Sequence, residues 1–154
     1  MHIPVSSKLV VRLLIGLAVF GALSAAMGSV LGVALNGAGV PLEYLAGSPF
    51  TSYFVPGLIL GVVVGGTQAA AAIALFKGTD TALLVSAVAG FGMLTWIFVE
   101  LAMIRQYSWL QTAYYAFGAL ELVLVLALLG IVPGLVAPLQ SSRKQTAASS
   151  LATS

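Results

Sequence analysis

Residues 96–121 read WIFVELAMIRQYSWLQTAYYAFGALE, and this stretch decides most of the fold. It predicts an apolar helix, a short aromatic-rich turn that carries Arg105, and a second apolar helix. Glu100 and Glu121 fall inside segments that otherwise suit lipid. Acidic groups in hydrocarbon are costly and usually mark a functional or tightly paired position. The stretch therefore predicts both a membrane fold and the place where a site would lie.

The composition places the whole chain in a bilayer. Of its 154 residues, 60% are hydrophobic and 6% are charged, whereas a soluble domain carries about 25% charged residues. One helical span needs about 20 apolar residues, so the length suits four spans with short connections. We therefore expect an all-α membrane protein.

The residue types in the sequence limit the kinds of site that the protein can contain. The chain has no cysteine, and His2 is its only histidine. Thiolate catalysis, disulfides and Cys- or His-based metal sites in the membrane are therefore excluded. A net charge of +2 is too small to indicate a nucleic-acid partner. We expect no cofactor, no metal and no catalytic residue, since only Glu, Tyr, Ser and Thr remain for an enzyme acting on lipid.

Gly, Pro and polar residues divide the chain into segments. A single membrane domain, residues 13–132, contains four predicted spans at about 13–35, 53–76, 81–104 and 112–132. Residues 1–12 form a short tail, and residues 133–154 are rich in Ser, Thr, Ala and Gln and predict a disordered one. A basic start before an apolar run also occurs in secretory signals. The apolar core of a signal is only about 7–15 residues long, so we interpret the first run as a retained span.

Basic residues flank the spans unequally. Arg105 stands alone on one side of the membrane, and the other side has Lys8, Arg12, Lys77, Arg143 and Lys144. Positively charged loops stay in the cytoplasm. This distribution predicts an antiparallel four-transmembrane-helix bundle in the cell inner (cytoplasmic) membrane, with both termini cytoplasmic.

The second span has a face of small residues. Gly57, Gly61 and Gly65 recur every four positions, and Gln68 lies on the same face. Small residues at this spacing let two helix backbones approach closely in lipid. The pattern predicts that the second span is central to the bundle, with Gln68 as a hydrogen-bonding contact. Alternatively, the glycine face forms a homodimer.

The two membrane glutamates differ in depth. Glu100 lies near the external end of its span, where it can reach outward or pair with Arg105. Glu121 lies deeper and must be protonated, paired or next to a wet cavity, because an isolated buried charge is prohibitive. Gly118 leaves room beside it. If the two carboxyl groups face each other, they share a proton or bind a cation.

Most aromatic residues gather on the external side. An interfacial aromatic belt explains many of them, but such belts occur at both interfaces and the internal side is nearly bare. The asymmetry predicts an outward-facing pocket. Its candidate ligand-binding residues are Glu121, Glu100, Trp96, Phe117, Tyr114 and Arg105.

Several short motifs carry a resemblance to a known group of proteins. They are Ser48-Pro49-Phe50, the run from Phe54 to Gly61, Trp96-Ile97 with Glu100, and Gln111 followed by Tyr114-Tyr115 and Gly118. Together they resemble small four-span integral membrane proteins of bacteria, frequent in actinobacteria. The resemblance covers the spans but not the polar tail. It implies a four-helix membrane protein and no particular activity.

These observations favour a non-enzymatic protein whose first partner is the lipid bilayer. It is expected to be an accessory subunit of a larger membrane complex or a binder of lipophilic ligands or lipids. The alternative is a proton- or cation-coupled small transporter, a homodimer that uses the membrane glutamates. A membrane enzyme acting on lipid is the third hypothesis.

Overall fold

The computed structural model of the chain describes residues 6–104 and 106–131. Arg105, the predicted tail 133–154 and the first five residues of the predicted tail 1–12 lie outside this part. The structure has four helices that are long and apolar enough to cross a membrane, namely α1 (Ser7–Leu35), α2 (Phe54–Lys77), α3 (Ala82–Met103) and α4 (Trp109–Leu128). No strand occurs among the described residues. The predicted all-α class is confirmed.

All four helices have apolar side chains exposed on the outside of the protein. In an 18-residue apolar stretch of each helix, only 28% to 39% is buried inside the protein. Large apolar side chains such as Phe20, Met27, Phe76, Leu84 and Phe98 are exposed. In water this surface would be strongly unfavourable, because each Å² of exposed apolar area costs roughly 25 cal/mol. Lipid covers it at no such cost, as expected for a multi-pass membrane protein.

The helix connections define two ends of the molecule. The α1–α2 connection, residues 36–53, contains the short 3₁₀-helix Leu42–Leu45. It lies beside residues 104 and 106–108 of the α3–α4 connection, as shown by one cavity that residues of both connections line. We call this the loop end. At the other end, which we call the turn end, Leu14, Leu75 and Leu128 form one buried apolar cluster near the short α2–α3 connection.

The helix boundaries differ from the predicted spans where local hydrogen bonds extend a helix. α1 begins at Ser7 rather than at residue 13, so it includes two basic residues of the predicted tail. α4 begins at Trp109 rather than at residue 112 because Ser108 caps it. The Ser108 hydroxyl accepts the Leu110 N–H at 3.3 Å, and the Gln111 side chain accepts the Ser108 N–H at 2.9 Å. This reciprocal pattern is a capping box.

The glycine face of α2 packs against α1. A Cβ atom on Gly57 would lie 2.9 Å from the Cα atom of Gly32, so the two backbones are in direct contact. Gly61 lies against Ser29, and Gly65 lies against Ala25. Within the described chain α1 therefore already covers the face that was the candidate for homodimerisation.

One turn of α2 is wider than an α-helix. Residues Leu60–Gly65 form a π-helical segment, a local feature that often occurs at functional positions. The Thr67 hydroxyl donates to the carbonyl oxygens of Val63 and Val64, at 2.8 and 3.0 Å. The hydroxyl therefore gives a hydrogen bond to carbonyl groups of the π-helical segment, where the backbone hydrogen bonds do not follow the α-helical pattern.

Glycines also allow close contact between α3 and α4. A Cβ on Gly118 would lie 3.1 Å from the Gly90 carbonyl oxygen. The room that Gly118 leaves beside Glu121 is therefore filled by the backbone of α3.

We predict that Gly57→Ala destabilises the protein, because the new methyl group meets the backbone of Gly32 and not a movable side chain. The free energy of unfolding should fall by about 1–3 kcal/mol, the usual cost of overpacking. The matched control is Gly66→Ala in the same helix, where a Cβ meets nothing within 4 Å. Thermal unfolding in detergent, followed by circular dichroism, measures both variants. Equal melting temperatures would contradict the close α1–α2 contact.

We predict that Ser108→Ala loosens the first turn of α4, since it removes the side chain that caps the helix. Loss of a cap costs about 1 kcal/mol. Hydrogen exchange at the Leu110 amide should accelerate, and Ser108→Asp should restore the protection because aspartate is an equally good cap. Unchanged exchange in Ser108→Ala would show that the cap does not form in solution.

Candidate functional site

A cleft opens between α1 and α4 at the loop end. Its volume is about 460 Å³, within the range of ligand pockets, roughly 300–1,000 Å³. The side chains or backbone of the following residues line it: Ser24, Ala25, Met27, Gly28, Leu31, Leu60, Met93, Trp96, Ile97, Glu100, Ser108, Leu110, Gln111 and Tyr114. We call this cavity the cleft.

The cleft is closed on its turn-end side by a contact between α1 and α4. The Phe20 and Phe117 rings meet with centroids 5.6 Å apart. Each lies about one helical turn nearer to the turn end than the cleft residues Ser24 and Tyr114, respectively. Beyond this contact α1 presents the small residues Ser24, Ala25 and Gly28. Small side chains cannot fill the space between the helices, so a gap remains.

Glu100 is the one carboxylate in the cleft lining. It is half-buried, and the side chains of Gln111 and Trp96 lie next to its carboxyl group. Gln111 itself is buried, and its Oε1 atom accepts the Ser108 N–H. This bond orients the Gln111 amide so that its NH₂ group is left for Glu100 or for a bound molecule. The capping box of α4 thus also positions a polar group of the cleft.

The α1–α2 connection extends the cleft at the loop end. A second cavity of about 550 Å³ shares Trp96, Glu100 and Gln111 with the cleft and continues to Tyr44 and Tyr53. The two cavities therefore adjoin each other at these shared residues.

Tyr53 holds this connection in place. Its N–H donates to Asn36 Oδ1 at 2.9 Å, and its hydroxyl donates to the Pro41 carbonyl oxygen at 2.9 Å. Burial, together with Tyr44 and Glu43, raises the pKa of the Tyr53 hydroxyl above its usual value. The hydroxyl therefore remains protonated and keeps donating.

A separate polar pair lies deeper, between α2 and α4. Gln68 Nε2 donates to Glu121 Oε2 at 2.8 Å, and the two residues are 0% and 1% exposed. A Cβ on Gly21 of α1 would lie 2.8 Å from the Gln68 Cδ atom. The Gln68 amide fits between the helices because Gly21 has no side chain.

The structure does not bring the two glutamates together. Glu100 lies beside Gln111, which is ten positions before Glu121 on α4, or about 15 Å along the helix. The neighbour of Glu121 is Gln68 instead. A proton or cation shared between Glu100 and Glu121, the arrangement considered from the sequence, does not fit this geometry.

The other predicted ligand-binding residues fall into three groups. Trp96 and Tyr114 line the cleft with Glu100. Phe117 packs below it, against Phe20 and Tyr114. Arg105 lies outside the described residues, so the predicted pair with Glu100 is not described either.

Sequence reasoning missed two contributors to these sites. Gln111 was noted as part of a motif but not as a site residue, although a Ser and a Gln three positions apart before an apolar run are a sequence signature of a capping box. Gly21 was also missed, and no local signal marks it, since its role depends on a side chain from another helix.

Comparisons with known proteins found no relative of this chain. No family model, no curated protein and no solved structure matches the chain. The functional conclusion therefore rests on the geometry of the cleft.

Proposed function

We propose that the protein binds an amphiphilic, membrane-soluble small molecule in the cleft. Glu100 receives a hydrogen-bond-donating or cationic head group of this molecule, and the apolar walls hold its hydrocarbon part. The observation that carries the proposal is that Glu100, Gln111 and Trp96 meet in one cavity of ligand size with otherwise largely apolar walls.

The chemistry of the lining favours this class of ligand. A carboxylate in a largely apolar surrounding accepts strong, charge-assisted hydrogen bonds from an ammonium group or a hydroxyl. The Gln111 amide adds a donor and an acceptor at the same place. Trp96 offers an aromatic face, which attracts cations. A ligand with a purely anionic head would instead be repelled by Glu100.

The rim of the cleft supports entry from the bilayer. Met27, Leu31 and Leu110 line the cleft and are also exposed on the outside of the protein. A molecule dissolved in lipid therefore meets apolar side chains at the opening and need not cross water.

The membrane orientation that fits this function follows the distribution of basic residues. In our proposal the helices form an antiparallel bundle in the inner membrane, and both termini face the cytoplasm with Lys8, Arg12 and Lys77. The loop end and the cleft then belong to the outer half of the bilayer. An accessory role in a larger complex and coupled transport by a homodimer stay predictions of the sequence.

We predict that Glu100→Gln weakens the binding of a long-chain amine. The chain has two tryptophans, Trp96 in the cleft and Trp109, which is 70% exposed outside it. A Trp109→Phe background leaves Trp96 as a single reporter. Brominated alkylamine should quench its fluorescence saturably in lipid nanodiscs. Glu100→Gln should raise the dissociation constant by a factor of about 10 to 100, since a charge-assisted hydrogen bond contributes about 1.5–3 kcal/mol.

The matched control is Glu43→Gln, which changes another glutamate at the loop end that does not line either cavity. It should leave the dissociation constant of the amine unchanged. A brominated alcohol of equal chain length should be affected less by Glu100→Gln, and the corresponding carboxylic acid should bind most weakly. Quenching without saturation, or equal affinities for amine and acid, would refute the proposed role of Glu100.

A further inference from the structure

The Gln68–Glu121 pair has an unusual hydrogen-bond balance. Gln68 Nε2 donates to Glu121 Oε2, but Gln68 Oε1 is buried and has no hydrogen-bond partner. Buried polar atoms without a partner are rare in native proteins and cost about 1–3 kcal/mol. The pair therefore lacks one hydrogen-bond donor.

The charge balance points the same way. An ionised Glu121, 1% exposed, would hold a full negative charge stabilised by one neutral amide. The cost of such a charge in an apolar interior is several kcal/mol or more. A proton on the carboxyl group removes the charge and adds a donor in the same step.

Charged groups on the surrounding helices are far from the pair. Arg12 on α1 and Lys77 on α2 are exposed, and each lies about 13 Å along its helix from Gly21 and Gln68, respectively. Lys8 is more distant still on α1. On α3, Glu100 lies in the cleft. On the described helix α4, Glu121 is the only Asp, Glu, Lys, Arg or His, and the other titratable side chains are Tyr114 and Tyr115. Among residues 6–104 and 106–131, no facing cation is thus in place to stabilise the carboxylate.

A metal ion fits the pair less well than a proton does. One carboxylate and one amide oxygen are too few ligands for Ca²⁺ or Mg²⁺, which take six or more oxygens. Among the described residues, no group of three or more His, Cys, Asp or Glu side chains could hold a metal.

We propose that Gln68 and Glu121 form a proton-binding site between α2 and α4, in which Glu121 is a neutral carboxylic acid at neutral pH. The acid proton supplies the donor that the Gln68 amide oxygen lacks. Reversing the two ends of the Gln68 amide leads to the same conclusion, because the amide oxygen would then face Glu121 Oε2 and need a proton between them. This site is separate from the cleft and does not depend on the proposed ligand.

Infrared spectroscopy tests the proposal directly, because a carboxylic acid has a C=O stretching band that a carboxylate lacks. The only side-chain acids are Glu43, Asp80, Glu100 and Glu121. Protein made with ¹³C-labelled glutamate and reconstituted in ether-linked lipids, which have no ester carbonyls, isolates the bands of the glutamates. At neutral pH the wild-type protein should show an isotope-sensitive acid band.

The variants assign that band. Glu121→Gln should abolish it, whereas Glu43→Gln and Glu100→Gln should leave it in place. An absent band in the wild-type protein, or a band that persists in Glu121→Gln, overturns the proposal. Failure of Glu100→Gln to alter amine binding would have no bearing on this result.

A second variant keeps the test decisive if Glu121→Gln does not fold. Gln68→Leu removes the amide that donates to the Glu121 carboxyl group. The acid band should remain and move to higher frequency, because its C=O group loses a hydrogen bond. A band that stays at the wild-type frequency would show that the acid does not bond to Gln68, and the proposed site would be wrong.

Discussion

Close approach of the α1 and α2 backbones is the constraint on which the rest of this structure depends. Lipid tails are as apolar as leucine, so a bilayer offers little hydrophobic drive for helices to pair. Van der Waals contact must supply much of it, and this requires short distances. The Gly32–Gly57 contact provides such distances at the loop end. Farther along the same interface, Gly21 lets the Gln68 amide pass toward α4. One helix interface thus sets both the packing and the position of the buried polar pair.

The same interface explains why a cleft forms. α1 is held to α2 by glycine contacts, and α3 is held to α4 by Gly90 and Gly118. Between these two pairs the contact of α1 with α4 runs from the buried turn end up to Phe20 and Phe117. Above the phenylalanines the small side chains of α1 leave the space open. The cleft is therefore a result of packing that is tight within each pair and incomplete between α1 and α4 at the loop end.

Sequence patterns predicted the elements better than the contacts between them. The four apolar runs were enough to expect four helices, because hydropathy and length are local properties. The four-residue glycine spacing on α2 likewise marked a packing face, but nothing local indicates that Gly32 and Ser29 of α1 cover it. α1 and α4 begin several residues before the predicted starts of their spans, since hydropathy alone does not locate the cap and first turn of a helix. For Glu121, the sequence left a proton, a paired group and a wet cavity as alternatives, and only the tertiary structure identifies Gln68 as its neighbour.

The two membrane glutamates illustrate how one residue type takes different roles in different surroundings. Glu100 is half-buried in the lining of the cleft, so its carboxyl group is accessible to the head group of the proposed ligand. Glu121 is enclosed and has a fixed amide neighbour, so the smallest species able to complete its hydrogen bonds is a proton. Because about 15 Å of helix separates their surroundings, the two groups can change protonation or bind partners independently. A substitution at one should therefore leave the other unaffected, and this independence argues for two separate sites on a single scaffold.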